Sequence, residues 1–445
     1  MKISLTSLNW LSALLLIISL TFCVRNASNS IGRLFNEHQI SAIKGHDGLF
    51  YFFWLRSTLI DGDVDFRNDM ELTMTSSQLE KLLDWAEENK TELGLVPNKY
   101  AVGWAVMNIP WFVAGHWTTV SINFFGFDYD LNGYSAFYQI WIVVGNIIYG
   151  FLGLIFCYLI LRRFFDFDVA LLSVVVVWSA SSMIFYSIIK PNMSHHVALL
   201  LLAINYYYAI KLEEDSSKTL PWILIGISAG LLVITRFQCA VYLLFPAIIC
   251  IKSIIKGQNY WGLVLAIVFG FICLFPQLLA WKFLYGEWMV YSYGNESFNW
   301  GNPQIYNVLF SPKHGWIYSH PMMLLGLIAL PFFIVSQQKF WYYSILIIMT
   351  LVIYVNGSWH SWWFGASFGN RAFEGCLLFI MMGYGFLIVN LERLKWLKFF
   401  TLMISLALVA YNYNLFFLIV GGPLGMSEPL TFQDIIAATL DKWNH

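Results

Sequence analysis

Apolar residues recur along this chain in blocks of about 20, the length of a helix that crosses the hydrocarbon core of a bilayer. Polar segments separate the blocks. The pattern predicts an all-α polytopic membrane protein that forms a single integral domain over 1–445. The eleven predicted spans are 8–24, 137–161, 168–189, 194–211, 219–235, 237–255, 260–281, 320–338, 341–357, 374–391 and 397–419.

Composition agrees with this pattern. The chain has 445 residues, of which 59% are hydrophobic and 11% are charged, whereas soluble domains carry about 25% charged residues. The formal net charge of −1 offers no basic surface for nucleic acid. The six cysteines lie within apolar blocks and none is spaced as in CxxC, so we expect neither disulfides nor a metal site, and no cofactor.

The largest polar segment is the loop 25–136, which follows the first block. That block is interpreted as a retained anchor, with a signal peptide as the alternative, because no clear cleavage site follows it. Within the loop, 76–89 places leucines on one face and charges elsewhere, which predicts an amphipathic surface helix with a serine cap. The segment 100–125 is moderately apolar but is interrupted by polar residues, glycine and proline.

Basic residues in short loops predict the orientation, because such loops face the cytoplasm. They occur at 162–163, at 252 and 256, and at 393–398. Four predicted spans separate each group from the next, so all three groups fall on one side. The N-terminus joins them only if 100–125 does not cross. We therefore expect a cytoplasmic N-terminus, an outer C-terminus, and most unusual polar residues on the outer face.

Asp47 is the principal candidate for chemistry. It precedes the aromatic run Phe50–Tyr51–Phe52–Phe53–Trp54, where partial desolvation would raise its proton affinity and suit it to general base catalysis. The alternative is structural, because an aspartate before a helix can cap the free amides of the first turn.

The spacing around Asp47 resembles a known family. Tyr51 follows four residues later, Leu59 twelve, and Gly62 and Asp63 fifteen and sixteen. This resembles the first periplasmic loop of the GT-C membrane glycosyltransferases, in particular lipid A aminoarabinose transferases and protein O-mannosyltransferases. The resemblance implies that Asp47 is the catalytic acidic residue and that the 25–136 loop contains juxtamembrane helices.

A second segment resembles the same family and one position departs from it. The run from Asn98 to Trp104 and on through Pro110 resembles the family's Lys-Pro-Pro-Leu segment, which implies that Lys99 binds the phosphate of the donor. A snorkelling lysine is the alternative. Gly48 stands where the family commonly has a second acidic residue, so the role of that residue has no counterpart here.

Further candidates lie at predicted outer helix ends. Arg236 and Arg371 could each bind a phosphate through two parallel hydrogen bonds. The alternatives are ion pairs with Glu296 or Glu374, or snorkelling of the arginine side chains. Their surroundings resemble outer segments of bacterial members of the family. Substrate-lining roles are also predicted for four residues with aromatic rings. A metal site at the two adjacent histidines among them is disfavoured, because the sequence beside them offers no further metal ligands. The four residues are Tyr51, His195, His196 and Trp363.

Taken with these features, the resemblance implies a glycosyltransferase that moves a sugar from a polyprenyl-phosphate donor onto a cell-envelope acceptor, with inversion, at the periplasmic face of a bacterial inner membrane. The expected partners are the lipid-linked donor, a glycan or lipid acceptor and the bilayer. An O-antigen polymerase or ligase and a flippase or transporter remain alternatives. A transporter typically places charges near the bilayer midplane and often shows internal repeats.

Overall fold

A computed structural model describes residues 15, 17, 21, 42, 43, 45–74, 76–255 and 259–444, without the side chains of 76–78, 443 and 444. Within these ranges the chain is helical and has no β-strand, apart from an isolated bridge between Phe298 and Trp359. The described residues thus confirm the helical class. The predicted first span, 8–24, and residue 256 of the second basic loop fall outside them, except for three positions of that span.

The helices are long in the apolar blocks and short in the connecting loops. In chain order they are α1 (His46–Arg56), α2 (Arg67–Thr73), α3 (Ser76–Glu88), α4 (Gly103–Phe124), α5 (Ala136–Leu161), α6 (Phe167–Ser179), α7 (Met183–Ile188), α8 (His195–Glu214), α9 (Thr219–Thr235), α10 (Leu244–Ile255), α11 (Tyr260–Tyr285), α12 (Ile305–Phe310), α13 (Trp316–Ser319), α14 (Met322–Ser336), α15 (Tyr343–Ser358), α16 (Leu377–Asn390), α17 (Lys395–Ile419) and α18 (Phe432–Asn444). Short 3₁₀ segments precede α10, α15 and α16, and a π-helical turn, Ser57–Asp61, continues α1.

Six helical segments of the described chain are long and apolar enough to cross a membrane. They support a helical membrane protein, whereas the count of eleven spans stays a prediction. Three further apolar helices, α6, α9 and α14, are shorter. The six long segments are Ala136–Leu161, Phe237–Ile255, Tyr260–Tyr285, Phe340–Ser358, Arg371–Asn390 and Lys395–Ile419.

The predicted span 168–189 is wrong as a single helix, because it is divided into α6 and α7. In the turn between them, backbone carbonyl groups lack the hydrogen-bond donors that a continuous helix would supply. Asn412 of α17 supplies the missing donors, since its side-chain amide donates to the carbonyls of Ser179 at 2.9 Å and Ser181 at 3.1 Å. Hydropathy alone does not reveal this break, because the turn residues are small and buried.

Small residues allow α9 and α11 to approach closely. A Cβ added at Gly226 or Gly230 would collide with the backbone of α11 at Ala266 or Gly270. Such contacts between small residues are typical of helix association in membranes. Most of the remaining surface of α11 is exposed, and only 11% of its most apolar window is buried, as expected for a helix that faces lipid.

Charged loops gather at one end of the bundle. Arg163, after α5, pairs with Glu214 at the end of α8. Beside it, Glu213 pairs with Lys252 at 3.6 Å and with Lys339 at 2.7 Å. The first two basic loops therefore lie at the same end, as the orientation argument requires, although the side of the membrane on which they lie stays a prediction.

The polar segment before α5 folds as predicted in part. The amphipathic helix 76–89 is confirmed as α3, with Ala86 buried and its charged residues exposed. The segment 100–125 forms α4, which begins beside the middle of α5 and runs antiparallel along its first half: Trp104 Nε1 donates to Asn146 at 3.1 Å. Whether α4 lies on the membrane or dips into it stays a prediction.

Candidate functional site

A cavity of about 610 Å³ lies at the end of the bundle opposite the clustered basic loops. Helix α1, the segment before α4, the end of α9 and two loops, 286–304 and 359–371, form its walls. Six of the eight candidate residues line it, although they are distributed over more than 300 positions of sequence. These six are Asp47, Tyr51, Lys99, Arg236, Trp363 and Arg371.

Asp47 lies in the first turn of α1 but does not cap it. The N-cap is Gly45, whose φ of 84° favours glycine, and no side chain caps this helix. The carboxylate of Asp47 instead accepts a hydrogen bond from the Tyr100 hydroxyl at 2.7 Å and pairs with Arg371 at 2.9 Å. The capping alternative for Asp47 is therefore wrong, and its carboxylate faces the cavity.

The surroundings of Asp47 lower the pKa of its carboxyl group, whereas the sequence predicts a raised pKa. Burial raises the pKa of the carboxyl group, but Arg371, the Tyr100 hydrogen bond, His46 and Lys99 together outweigh burial. The pKa of Asp47 therefore lies below its ordinary value, where the sequence argument predicted the opposite. The reason is that the aromatic run predicts desolvation, whereas the decisive cation comes from a residue 324 positions further along the chain. Asp47 is thus ionised at neutral pH.

Tyr100 is a site residue that the sequence argument did not single out, although it follows Lys99 directly. Its segment is fixed against α1 by two hydrogen bonds: Asn98 Nδ2 donates to the Phe50 carbonyl at 2.9 Å, and Trp54 Nε1 donates to the Tyr100 carbonyl at 2.8 Å. Asn98 is buried. These bonds hold the Tyr100 hydroxyl over Asp47.

Lys99 points from the same segment to the 286–304 loop. Its ammonium pairs with Glu296, and both side chains are 32% exposed. Ser292 Oγ also donates to the Lys99 carbonyl at 3.0 Å, so the loop is attached to this segment through backbone as well as side chain. Glu296, the predicted alternative ion-pair partner for an arginine, thus pairs with Lys99.

Arg236 lies where α9 ends, and its guanidinium contacts Nδ1 of His195. His195 in turn contacts the carboxylate of Glu374, whose other oxygen accepts from Ser182 Oγ at 3.4 Å. His195, Glu374 and Ser182 are buried and Arg236 is partly buried, and His195 lies behind the cavity wall rather than on it. Arg236 and Glu374 therefore approach the same ring nitrogen of His195.

His196 faces away from the cavity. Its Nε2 is 2.9 Å from Ser187 Oγ, and the ring packs where a Cβ on Gly150 of α5 would stand. The predicted substrate-lining role of His196 is therefore not met by its position, since helical geometry directs adjacent residues to different faces. Its neighbour His195 takes the face towards Arg236.

Arg371 is presented by a short turn before α16. Asn370 shapes this turn, because its side chain accepts from the Ala372 amide at 3.3 Å and donates to the Trp362 carbonyl at 3.0 Å. The guanidinium then reaches Asp47 across the cavity. Arg371 and Asp47 are each 20% exposed in their side chains, so the pair is accessible from the cavity and only partly solvated.

Aromatic residues of the two loops form the outer wall. The loops are joined by the Phe298–Trp359 bridge and by the Asn299 amide, which donates to the Ser358 carbonyl at 2.6 Å. Phe364 adopts a φ of 56°, a rare conformation for a bulky residue that the surrounding structure must maintain. Lys313 lies 4.2 Å from the centre of the Trp363 ring. The wall offers faces on which a sugar or prenyl group could pack.

The departure at Gly48 has a steric explanation. A Cβ built at this position would overlap the side-chain amide of Asn192, which is fully buried against α1. A longer side chain, including an acidic one, does not fit here without displacing Asn192. The side-chain amide of Asn192 thus occupies the space next to Asp47 that a side chain at position 48 would need.

Among the residues that the structure describes, no three His, Cys, Asp or Glu side chains converge as metal ligands would. The cations of the cavity are the groups that could hold an anion. Searches of family models, curated proteins and solved structures find no match to this chain.

Proposed function

We propose that this protein is a membrane glycosyltransferase, which transfers a sugar from a polyprenyl-phosphate donor to a cell-envelope acceptor at the outer face of a bacterial inner membrane. The observation that carries the proposal is the convergence of Asp47, Lys99, Arg236 and Arg371 in one cavity with an aromatic wall. This arrangement combines a carboxylate with cations suited to a phosphate, beside the predicted bilayer surface.

The proposed step is a direct displacement. The oxygen of an acceptor hydroxyl forms a bond to the anomeric carbon while the bond from that carbon to the phosphate oxygen breaks. The hydroxyl proton passes to the Asp47 carboxylate, and the bonding electrons leave with the polyprenyl phosphate. Attack from the face opposite the leaving group inverts the anomeric configuration.

The side chains around the cavity support separate parts of this step. Arg236 and Lys99 are placed to bind the phosphate as its negative charge increases. Tyr100 and Arg371 orient the Asp47 carboxylate. The ionised state of Asp47 at neutral pH leaves it able to accept a proton, and it becomes a better base if the phosphate draws Arg371 away.

The test is the activity of Asp47→Asn in membranes that contain equal amounts of variant and wild-type protein. Transfer of a radiolabelled sugar from a panel of polyprenyl-phosphate sugars to endogenous glycan or lipid is measured. Losing a positioned base costs about 10²–10⁴ in rate. The matched control is Asp63→Asn, because Asp63 is exposed and its carboxylate accepts a local hydrogen bond, from the Asp65 amide at 3.1 Å.

Transfer by Asp47→Asn at near the wild-type rate would reject the role of Asp47 as base. Asp61 is unsuitable as a second control, because it pairs with the buried Arg56 and its replacement would disturb that pair. If the protein moved lipid-linked sugar from one leaflet of a vesicle membrane to the other without passing the sugar to an acceptor, a flippase would be favoured instead.

A further inference from the structure

Glu296 occupies the position beside Lys99 where a phosphate is proposed to bind. It lines the cavity together with Lys99, and its carboxylate contacts the ammonium. A carboxylate and a phosphate oxygen are alternative acceptors for the same charged donor. Because both cannot occupy the same place on Lys99, the phosphate must displace the Glu296 carboxylate if the donor is to bind Lys99 directly.

Exposure distinguishes Glu296 from the other two carboxylates of the site. Glu374 is 7% exposed in its side chain and Asp47 is 20% exposed, whereas Glu296 is 32% exposed. A carboxylate in contact with water regains hydration when it leaves its partner, and a buried one does not. Glu296 is therefore the carboxylate that can be replaced at the lowest free-energy cost.

The backbone around Glu296 is held independently of its carboxylate. Its carbonyl accepts from the Tyr291 hydroxyl at 2.6 Å, and the neighbouring Ser297 carbonyl accepts from the His360 amide at 3.1 Å. Ser292 is attached to the carbonyl of Lys99. The side chain of Glu296 can thus move away from Lys99 while the 286–304 loop keeps its fold.

We propose that Glu296 is an affinity-determining residue, whose carboxylate competes with the phosphate of a polyprenyl monophosphate for Lys99. This inference rests on the proposed function, because it takes Lys99 as a phosphate ligand. Donor binding exchanges one anion for another on Lys99, and release of the lipid phosphate returns Glu296 to it. Glu296 therefore lowers the affinity of the site for both the donor and the lipid product.

The experiment measures binding of geranyl phosphate to the purified full chain in detergent, by quenching of the tryptophan fluorescence of the cavity wall. Geraniol, which lacks the phosphate, is the neutral control ligand. Glu296→Gln keeps the size of the side chain but removes its charge, and we expect it to tighten geranyl phosphate binding by about 1.5–5-fold, the range that an exposed ion pair contributes. Glu287→Gln, an exposed position in the same loop, should leave affinity unchanged.

A second comparison separates competition from a structural role of Glu296. In a Lys99→Gln background, Glu296→Gln should have a smaller effect on geranyl phosphate binding than in the wild type, because the shared cation is gone and only direct repulsion between carboxylate and phosphate remains. Unchanged or weaker binding by the single Glu296→Gln variant would overturn the competition. A similar gain for geraniol would also overturn it, since that ligand carries no charge.

The proposed function is tested separately by the wild-type protein. Geranyl phosphate binding no tighter than geraniol would remove the phosphate site, and with it both proposals. Preference for geranyl phosphate with no change in Glu296→Gln would leave the phosphate site standing and remove only the role of Glu296.

Discussion

Replacing Arg371 with Gln removes the cation from the Asp47 carboxylate and keeps a polar side chain in its place. The two charges are 2.9 Å apart, and each side chain is 20% exposed. Removing one member of a buried ion pair costs about 3–5 kcal/mol, and losing an exposed pair costs about 0–1 kcal/mol. Because this pair lies between these cases, we expect Arg371→Gln to lower the free energy of unfolding by about 1–3 kcal/mol at neutral pH.

Most of this loss should come from the carboxylate that is left without its cation. The double variant Asp47→Asn/Arg371→Gln removes both charges, so it should be more stable than the sum of the single changes predicts, by about 1–3 kcal/mol. The matched control is the pair Lys99→Gln and Glu296→Gln, whose greater exposure predicts a coupling below about 1 kcal/mol.

The effect of pH on Arg371→Gln follows from the two opposing causes at Asp47. In the wild type, the pKa of Asp47 is lower in the folded chain than in the unfolded chain. The ion pair therefore stabilises the fold fully at pH values above the ordinary pKa of an aspartate, and this stabilisation is lost as the pH falls through the lowered pKa. In Arg371→Gln, burial remains while its main opponent is absent, so the pKa of Asp47 rises. The carboxyl group then takes up a proton at a higher pH than in the wild type, so the deficit relative to the wild type should be smaller at pH 5 than at pH 8.

The assay is the apparent melting temperature of the purified chain in detergent, followed by tryptophan fluorescence at pH 8 and pH 5. A loss of 1–3 kcal/mol corresponds to about 1–3 °C at pH 8, because the entropy of unfolding is about 2.1 cal/mol/K per residue and the chain has 445 residues. Equal deficits at both pH values, or single changes that simply add, would refute the coupling between Asp47 and Arg371.

Two other predictions concern the fold and its orientation. Asn412→Leu should lower the apparent melting temperature by several degrees, because two buried carbonyls of the turn between α6 and α7 lose their donor at about 1–3 kcal/mol each; an unchanged melting temperature would show that the turn satisfies them otherwise. If α4 does not cross the membrane, the exposed positions of Glu92→Cys and Asp130→Cys should both react with an impermeant thiol reagent from outside, and a reporter fused at Glu428 should also read outside. Labelling at only one of the two cysteines would mean that α4 crosses.

The sequence predicts the helices of this protein better than their interruptions. Blocks of apolar residues mark α5, α11 and α17 because a bilayer selects for length and hydropathy, and both are local properties. The break between α6 and α7 depends on Asn412, more than 200 residues away. Such a distant donor leaves no trace in a sliding window.

The same distinction applies to the site. Asp47 and Lys99 can be proposed from short motifs, since each lies in a recognisable local segment. The link of Asp47 to Arg371, and of Lys99 to Glu296, depends on how the 286–304 and 359–371 loops close over the cavity. No periodicity encodes that closure, and so the lowered pKa of Asp47 could not be predicted from the aromatic residues beside it.

The pairing of charges in the cavity also has a kinetic consequence. Lys99 and Arg371 each contact a carboxylate, so the fields of these two pairs largely cancel a few ångströms away. Long-range electrostatic steering, which speeds the capture of charged ligands from solution, is therefore weak at this site. The lipid-anchored donor of the proposed function would have no need of it, because diffusion within the membrane plane would bring its head group to the cavity. The capture rate should accordingly depend on lipid density more than on ionic strength.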